Sequence, residues 1–301
     1  MVVDKKVFVI VVTYKGQKWY ERCFTSLRES SLPVQTIVVD NASNDGTVEY
    51  IKEHFPEIHL IESKENLGFG RANNLAMRYA LDHGCDYVFL LNQDAWVEPE
   101  CILQLIKIHV SHHGFGILSP MHISDKKDHL NICLDDGNRN YELLSDFYFG
   151  TSKDFYPVKY VNAAAWLLPR TTLETVGGFD PIFVHYEEDD DYLNRAVYHG
   201  LGIVLCPNAR VVHDHTDLQN ALTNGIKRHF QFLLLDQIDP NKPLHLKATK
   251  RYFIRKAVLG FLSGKKAQAL SFWYDYKYLK GKKKEIYNSR NNNSQKKASW
   301  V

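Results

Sequence analysis

The chain has 301 residues, 45% of them apolar and 24% charged, with 17 glycines and 10 prolines. That balance excludes collagen-like, disordered and disulfide-scaffold classes, and the length suits one large domain with a smaller appendage. The formal net charge of +2 averages two unlike parts, since residues 242–301 carry +14 and residues 1–241 carry −12. No apolar run reaches the roughly 18–20 residues that cross a bilayer. The start, Asp4-Lys5-Lys6 and then a short apolar burst, lacks a secretory pattern. Five cysteines (Cys23, Cys85, Cys101, Cys133 and Cys206) are odd in number and scattered, which predicts reduced thiols and a cytoplasmic setting.

In chain order, Val7–Val12 reads as a buried strand and Trp19–Glu29 as a helix. Thr36–Val39 is a second strand, Thr47–His54 a helix, Ile58–Ile61 a third strand, Ala72–His83 a helix and Tyr87–Leu91 a fourth strand. Strands alternating with helices at this spacing predict an α/β fold with a mainly parallel central sheet flanked by helices. Ligands of such sheets sit outside the carboxyl ends of the strands. Polar residues collect at those ends: Thr13-Tyr14, Asp40-Asn41 and Asn92-Gln93-Asp94. Residues 120–157, rich in Asp, Asn, Gly and Tyr, read as loops and hairpins. Val161–Leu168 is an apolar segment, Asp189–His199 a helix, and Gly202–Cys206 a strand followed by Ala209–His215. Beyond about residue 220 the pattern is helical, and 291–301 is polar enough to predict disorder.

Phosphate-binding loops fail on inspection. Gly68-Phe69-Gly70 is followed by Asn73 where G-x-G-x-x-G needs glycine, and no P-loop, G-x-S-x-G or HExxH is present. Carboxylates at strand ends remain. Asp40 can accept the N3–H of uracil or thymine, or simply close an Asx turn. Asp94 can hold a hard divalent cation, or serve as a loop acid or helix N-cap. Glu187-Glu188-Asp189-Asp190-Asp191 is either a solvated helix start or a set whose mutual repulsion raises pKa values, which suits a general base. His213 and His215 flank one residue on a strand, a spacing that serves metal ligation or plain structure.

Taken in order, these motifs resemble family 2 glycosyltransferases with the GT-A fold. Val9-Ile10-Val11-Val12-Thr13-Tyr14 is similar to the family's opening strand, and Val38-Val39-Asp40-Asn41 to its base-binding strand end. Glu65-Asn66-Leu67-Gly68-Phe69-Gly70-Arg71 looks like the loop that passes near the nucleotide. Leu90-Leu91-Asn92-Gln93-Asp94 occupies the place of the DxD metal motif, with Asn92 removing its first charge. Gly177-Gly178-Phe179-Asp180 and then Tyr186 to Arg195 resemble the segment that carries the catalytic base. Among members, the chain looks most like the bacterial rhamnosyltransferase-like group that builds surface polysaccharides.

The resemblance implies a metal-dependent inverting enzyme that moves a sugar, with rhamnose suggested by the group, from a UDP- or dTDP-linked donor to a saccharide or lipid-linked acceptor. Thr13, Tyr14, Asp40, Asn66, Gly70, Arg71 and Asn92 would bind the donor, and Asp94 and His213 would hold Mg2+ or Mn2+. Asp189 would be the base, with Asp191 the nearby alternative. Glu188 and Trp166 would meet the acceptor, although Trp166 also reads as a core aromatic. A catalytically silent nucleotide-sugar binder or scaffold is the competing reading, motivated by Asn92. A nucleotidyltransferase would need a glycine-rich basic signature that Lys15-Gly16-Gln17-Lys18 is too sparse to provide.

The expected organisation is a catalytic domain over 1–220, a basic, aromatic-rich helical extension over 221–290 and the tail over 291–301. Nothing in the body supports nucleic-acid binding by the extension. Its basic and aromatic residues over 248–290 suit an anionic membrane surface, which would make the protein peripheral on the inner face of the cell membrane. A helical appendage that simply packs on the body is the alternative.

Overall fold

The structure, a computed structural model, describes residues 4–126, 130, 141–214, 225–297 and 299–300. Its first strand, β1 (Val7–Thr13), is a run of β-branched and aromatic residues buried at every position but Val12, as a central strand covered on both faces requires. β1 lies between β2 (Gln35–Asp40) and β4 (Tyr87–Asn92), parallel to both, and β2 pairs in parallel with β3 (His59–Glu62). α1 (Gln17–Arg28), α2 (Thr47–His54) and α3 (Gly68–Asp82) supply the crossovers. The parallel character belongs to this half. Beyond it, β8 (Ala165–Pro169) runs antiparallel to β4 and to β6 (Phe115–Ile123), and β6 is parallel to β9 (Gly202–His213). β5 (Ala95–Val97) and β7 (Tyr156–Pro157) pair antiparallel with β9, completing nine strands in the order β3-β2-β1-β4-β8-β6-β9-β5 with β7 alongside β9.

Alternation along β1 sorts its side chains between two cores. Val7, Val9 and Val11 pack with Tyr20 and Phe24 of α1 and with Ile102 and Leu105 of α4 (Cys101–Ser111). Phe8 and Ile10 pack with Met77 of α3, Leu173 of α6 (Arg170–Val176) and Ala196 of α7 (Glu188–Tyr198). Each such side chain contributes roughly 1.5–3 kcal/mol by leaving water. The four described cysteines are free and buried, and Cys133 lies outside the described residues.

Three elements depart from the sequence reading. α3 begins at Gly68 rather than Ala72, because the Asn66 carboxamide accepts the Gly68 N–H at 2.9 Å and supports the first turn through a glycine-rich stretch. The two strands expected over 202–215 are one, β9. Between Pro120 and Met121 of β6 its partner register jumps from Cys206 to Arg210, so Pro207 is carried in an irregularity where it breaks no ladder. The region expected as loops and hairpins contains α5 (Tyr141–Phe149).

The end of the chain also differs. α8 (Gly225–Ile238), α9 (Leu246–Leu262), α10 (Lys266–Gly281) and α11 (Lys283–Asn293) share a third core, in which Leu234, Ile238, Phe253, Leu279 and Ile286 meet Ile182 and Phe183 of the body. The described residues after Asn293 are ordered, against the expectation of disorder. The Lys297 N–H donates to the Thr175 carbonyl at 3.1 Å and the Gly178 N–H to the Ser299 carbonyl at 2.8 Å. Composition misses this because backbone groups, not apolar side chains, make the contact.

Candidate active site

The strand register assembles the site. Thr13 stands opposite Asp40 and Val12 opposite Asn92, so the ends of β1, β2 and β4 meet at one rim. Buried Thr13 donates its hydroxyl to Asp40 Oδ1 at 3.0 Å, and the Ser43 N–H reaches Asp40 Oδ2 at 2.9 Å. Asp40 therefore does form the turn, and that turn fixes where its carboxylate sits. Gln93, given no role of its own in the strand-end motif, latches the loop after β1. It accepts the Tyr14 N–H at 2.9 Å and donates to the Tyr14 carbonyl at 3.2 Å. Tyr14 itself is exposed at the rim. Asn41, likewise without an assigned role, ties β2 to the next loop by accepting the Leu67 N–H and donating to the Gly68 carbonyl, both at 3.2 Å. The non-glycine residues Lys15 and Ala42 hold left-handed backbone at these two strand ends, with φ of 51° and 59°. Strain of this kind collects at functional sites.

The 65–71 segment divides into different roles. Gly68 has φ 78°, and a Cβ there would lie 2.7 Å from the Val184 carbonyl oxygen. A Cβ at Gly70 would lie 2.9 Å from Cβ of Phe179, so the close packing of α3 on that ring requires glycine here. Arg71 is exposed and donates to the Pro181 carbonyl at 3.3 Å, joining α3 to the loop that leads into α7.

Asp94 and His213 meet across the β5–β9 pair, with Asp94 Oδ1 3.3 Å from His213 Nε2. A carboxylate and an imidazole suit Mn2+ or Mg2+ as part of an octahedral set. No group of three His, Cys, Asp or Glu positioned for a metal occurs among the described residues. The pair therefore fits an ion whose other ligands come from water or a bound diphosphate. His215 lies outside the described residues.

The acidic run opens α7, entered through Tyr186 and Glu187 at φ 69° and 67°, two successive non-glycine residues in the left-handed region. This turn sends its carboxylates to different places. Glu188, Asp189 and Asp190 line a cavity of about 460 Å³ together with Asn92, Tyr160 and Asn162. Asp189 accepts the Tyr160 hydroxyl at 3.2 Å and the Asp190 N–H at 3.0 Å, and burial raises its pKa. Glu188 is pushed up to about 7 by burial and then by Asp189, and its buried Oε2 has no hydrogen-bond partner among the described residues. Asp190 also rises to about 7, chiefly through burial. Arg228 of α8, unnoticed in the sequence, donates to Glu187 at 3.1 Å. It stands between this cavity and a second, of about 510 Å³, lined by Tyr160, Asp190, His229 and Phe232. Its place on a helix far along the chain left no local signal.

Two expected site residues belong elsewhere. Asp191 points away from the cavity and forms a fully buried ion pair with Arg195 at 2.8 Å, so it is not the alternative base. Asn293 of α11 donates to Asp180 at 3.1 Å and to Asp191 at 3.5 Å, binding the GGFD turn and α7 together. Trp166 is fully buried on β8 between Phe179 and Tyr192, at ring distances of 6.3 and 5.8 Å, and so is a core aromatic rather than an acceptor platform.

Comparison with known proteins bears on this arrangement. The family model described as "Glycosyl transferase family 2" matches residues 8–177, more than half of the chain. The dTDP-rhamnosyl transferase RfbF of Shigella flexneri is 23% identical over 259 residues, which is 85% of this chain and 80% of that protein. The N-acetylglucosaminyl-diphospho-decaprenol L-rhamnosyltransferase of Mycobacterium tuberculosis is 26% identical over 233 residues, covering 68% and 75%. The low-salt glycan biosynthesis hexosyltransferase Agl10 of Haloferax volcanii is 24% identical over 228 residues, covering 74% and 72%. Among solved structures, Staphylococcus aureus TarS 1–349 in complex with UDP superposes with a TM-score of 0.60 at 14% identity, over 96% of this chain and 88% of that one. That likeness establishes the GT-A architecture. With the motifs at the strand ends, this fold and the family match, the chain belongs to glycosyl transferase family 2 and is a glycosyltransferase.

Proposed function

We propose that the protein is an inverting, divalent-metal-dependent glycosyltransferase that moves a deoxyhexose such as rhamnose from a dTDP- or UDP-linked donor to a saccharide or lipid-linked saccharide. The observation that carries this reading is the sharing of one cavity by Glu188, Asp189 and Asn92 at the carboxyl ends of the parallel strands. In it, Thr13 and Asp40 receive the nucleoside, helped by Tyr14, Asn66 and Arg71, while Asn92 meets the ribose or diphosphate. Asp94 and His213 hold Mg2+ or Mn2+, which when bound neutralises charge on the leaving diphosphate.

Asp189 takes the proton from the acceptor hydroxyl, and the freed oxygen attacks the anomeric carbon from the face opposite the diphosphate. The new C–O bond forms as the bond to the diphosphate breaks, and the nucleoside diphosphate leaves. Burial favours a proton on Asp189, and Tyr160 holds the carboxylate in position. Glu188 orients the acceptor hydroxyl. The rhamnosyl donor named for the Shigella relative and the decaprenol-linked acceptor named for the mycobacterial one support the choice of substrates.

A thermal-shift screen of dTDP- and UDP-sugars with Mn2+ tests the reading, because a true donor stabilises by RT ln(1 + [L]/Kd). The expected result is a shift with dTDP-rhamnose or a related donor that chelation removes, followed by slow release of nucleoside diphosphate. A shift without release would favour the silent binder suggested by Asn92.

A further inference from the structure

We propose that the tip of the α9–α10 hairpin docks on an anionic lipid surface. The two helices are pressed together where a Cβ on Gly260 would lie 2.9 Å from the Ala269 Cβ, and Phe253 stacks on Phe272 at 6.1 Å. With the inner face filled, Ile254, Val258, Phe261, Leu262, Leu270 and Trp273 are left exposed, Leu262 to 81%. Ile254, Val258, Phe261 and Leu262 follow helical spacing and form a single stripe that ends at the turn. Leu270 and Trp273 continue it on the returning helix.

Charge selects the occupant. Residues 246–281 hold nine Lys or Arg and one acid, Asp275. Asp275 is buried and bonded to His229 at 2.9 Å, so the solvent-facing charge of the hairpin is cationic throughout. Lys265 and Lys266 sit in the exposed turn beside the apolar stripe, and Lys277 lies 5.7 Å over the Trp273 ring. An apolar stripe edged by cations matches the boundary between acyl chains and anionic headgroups. A second copy of this chain would bring the same cations face to face. The surface is narrower than the 248–290 expected from sequence, because α11 commits Ile286, Ser289 and Asn293 to the body. No helix among the described residues is long and apolar enough to cross a membrane, so contact would be interfacial.

The inference adds a partner to the proposed function and rests on it only for the purpose of docking, since a lipid-linked acceptor would lie in the same surface. The test is flotation of the full chain with phosphatidylcholine vesicles, with and without phosphatidylglycerol, at low and raised salt. Binding is expected only to the anionic vesicles, weakened by salt, and reduced about thirtyfold in the Lys265→Gln/Lys266→Gln variant. Phe261→Ser/Leu262→Ser should also weaken it, with thermal unfolding unchanged because all four positions are exposed. Equal flotation of wild type and variants overturns the proposal. So does self-association lost in the apolar variant without vesicle binding, which would identify a second copy as the occupant. Release of nucleoside diphosphate from a soluble donor, measured without vesicles, tests the catalytic reading separately.

Discussion

At the scale of single residues, the acidic run separates into groups with different chemistry because α7 turns them in different directions. Asp189→Asn should lower kcat by about 10²–10⁴-fold with donor binding retained, as loss of a general base does. Single-turnover assays beside donor titration check it, and full turnover would remove Asp189 from the role. Asp191→Asn should behave otherwise. Uncoupling a fully buried ion pair destabilises by about 3–5 kcal/mol, so denaturant unfolding should register it first and activity should fall with the folded fraction. Glu188 titrates near 7 in the folded protein and near its ordinary value when unfolded. The unfolded chain therefore ionises at lower pH, and stability is lost as pH rises between about 4 and 7. Glu188→Gln should raise the unfolding free energy at pH 8 by an amount on the order of 3 kcal/mol, with the gain vanishing near pH 4. A gain equal at both pH values would refute the shifted titration.

Elements were legible where a local pattern matched its final surroundings. β1, β2 and β4 are largely apolar runs buried in the sheet, β3 is a short half-buried edge strand, and the polar residues Thr13, Asp40 and Asn92 that end the first three needed only strand register to meet. Other parts depend on contacts far apart in sequence. Trp166 looked equally like a platform and a core ring until β8 was sandwiched between β4 and β6. Gln93, Asn41 and Arg228 act through partners on other elements, and nothing adjacent to them signals it. α11 is the clearest case, since a polar, asparagine-rich helix supplies the Asn293 carboxamide that joins two buried carboxylates. Asn293→Ala should destabilise by roughly 1–3 kcal/mol, the usual effect of leaving buried acceptors unmatched. It should also lower kcat more than it raises KM for donor, since α7 carries the proposed base and the proposed donor rim lies on other elements. Calorimetry and initial rates on the same preparation separate the two effects.

For the whole molecule, the contrast between an acidic body and a basic end does not mark a seam. The C-terminal helices share a core with Ile182 and Phe183 at the entrance to α7, and Arg228 reaches from α8 to Glu187 in the turn that opens α7. Expression of residues 1–282 should therefore yield a chain with lowered Tm and no transferase activity, rather than a working catalytic domain. Native activity in that fragment would show that α11 is dispensable to the catalytic body. The bond from Asn293 to Asp191 spans 102 residues, which has a consequence for synthesis. Every residue of the parallel sheet is made before this helix, and until it is made Asp180 and Asp191 have only their nearer partners, the Ile182 N–H and Arg195. A chain cut short before Asn293 is therefore expected to fold its parallel sheet yet hold Asp180 and Asp191 less firmly against each other, which amide exchange over α7 would register.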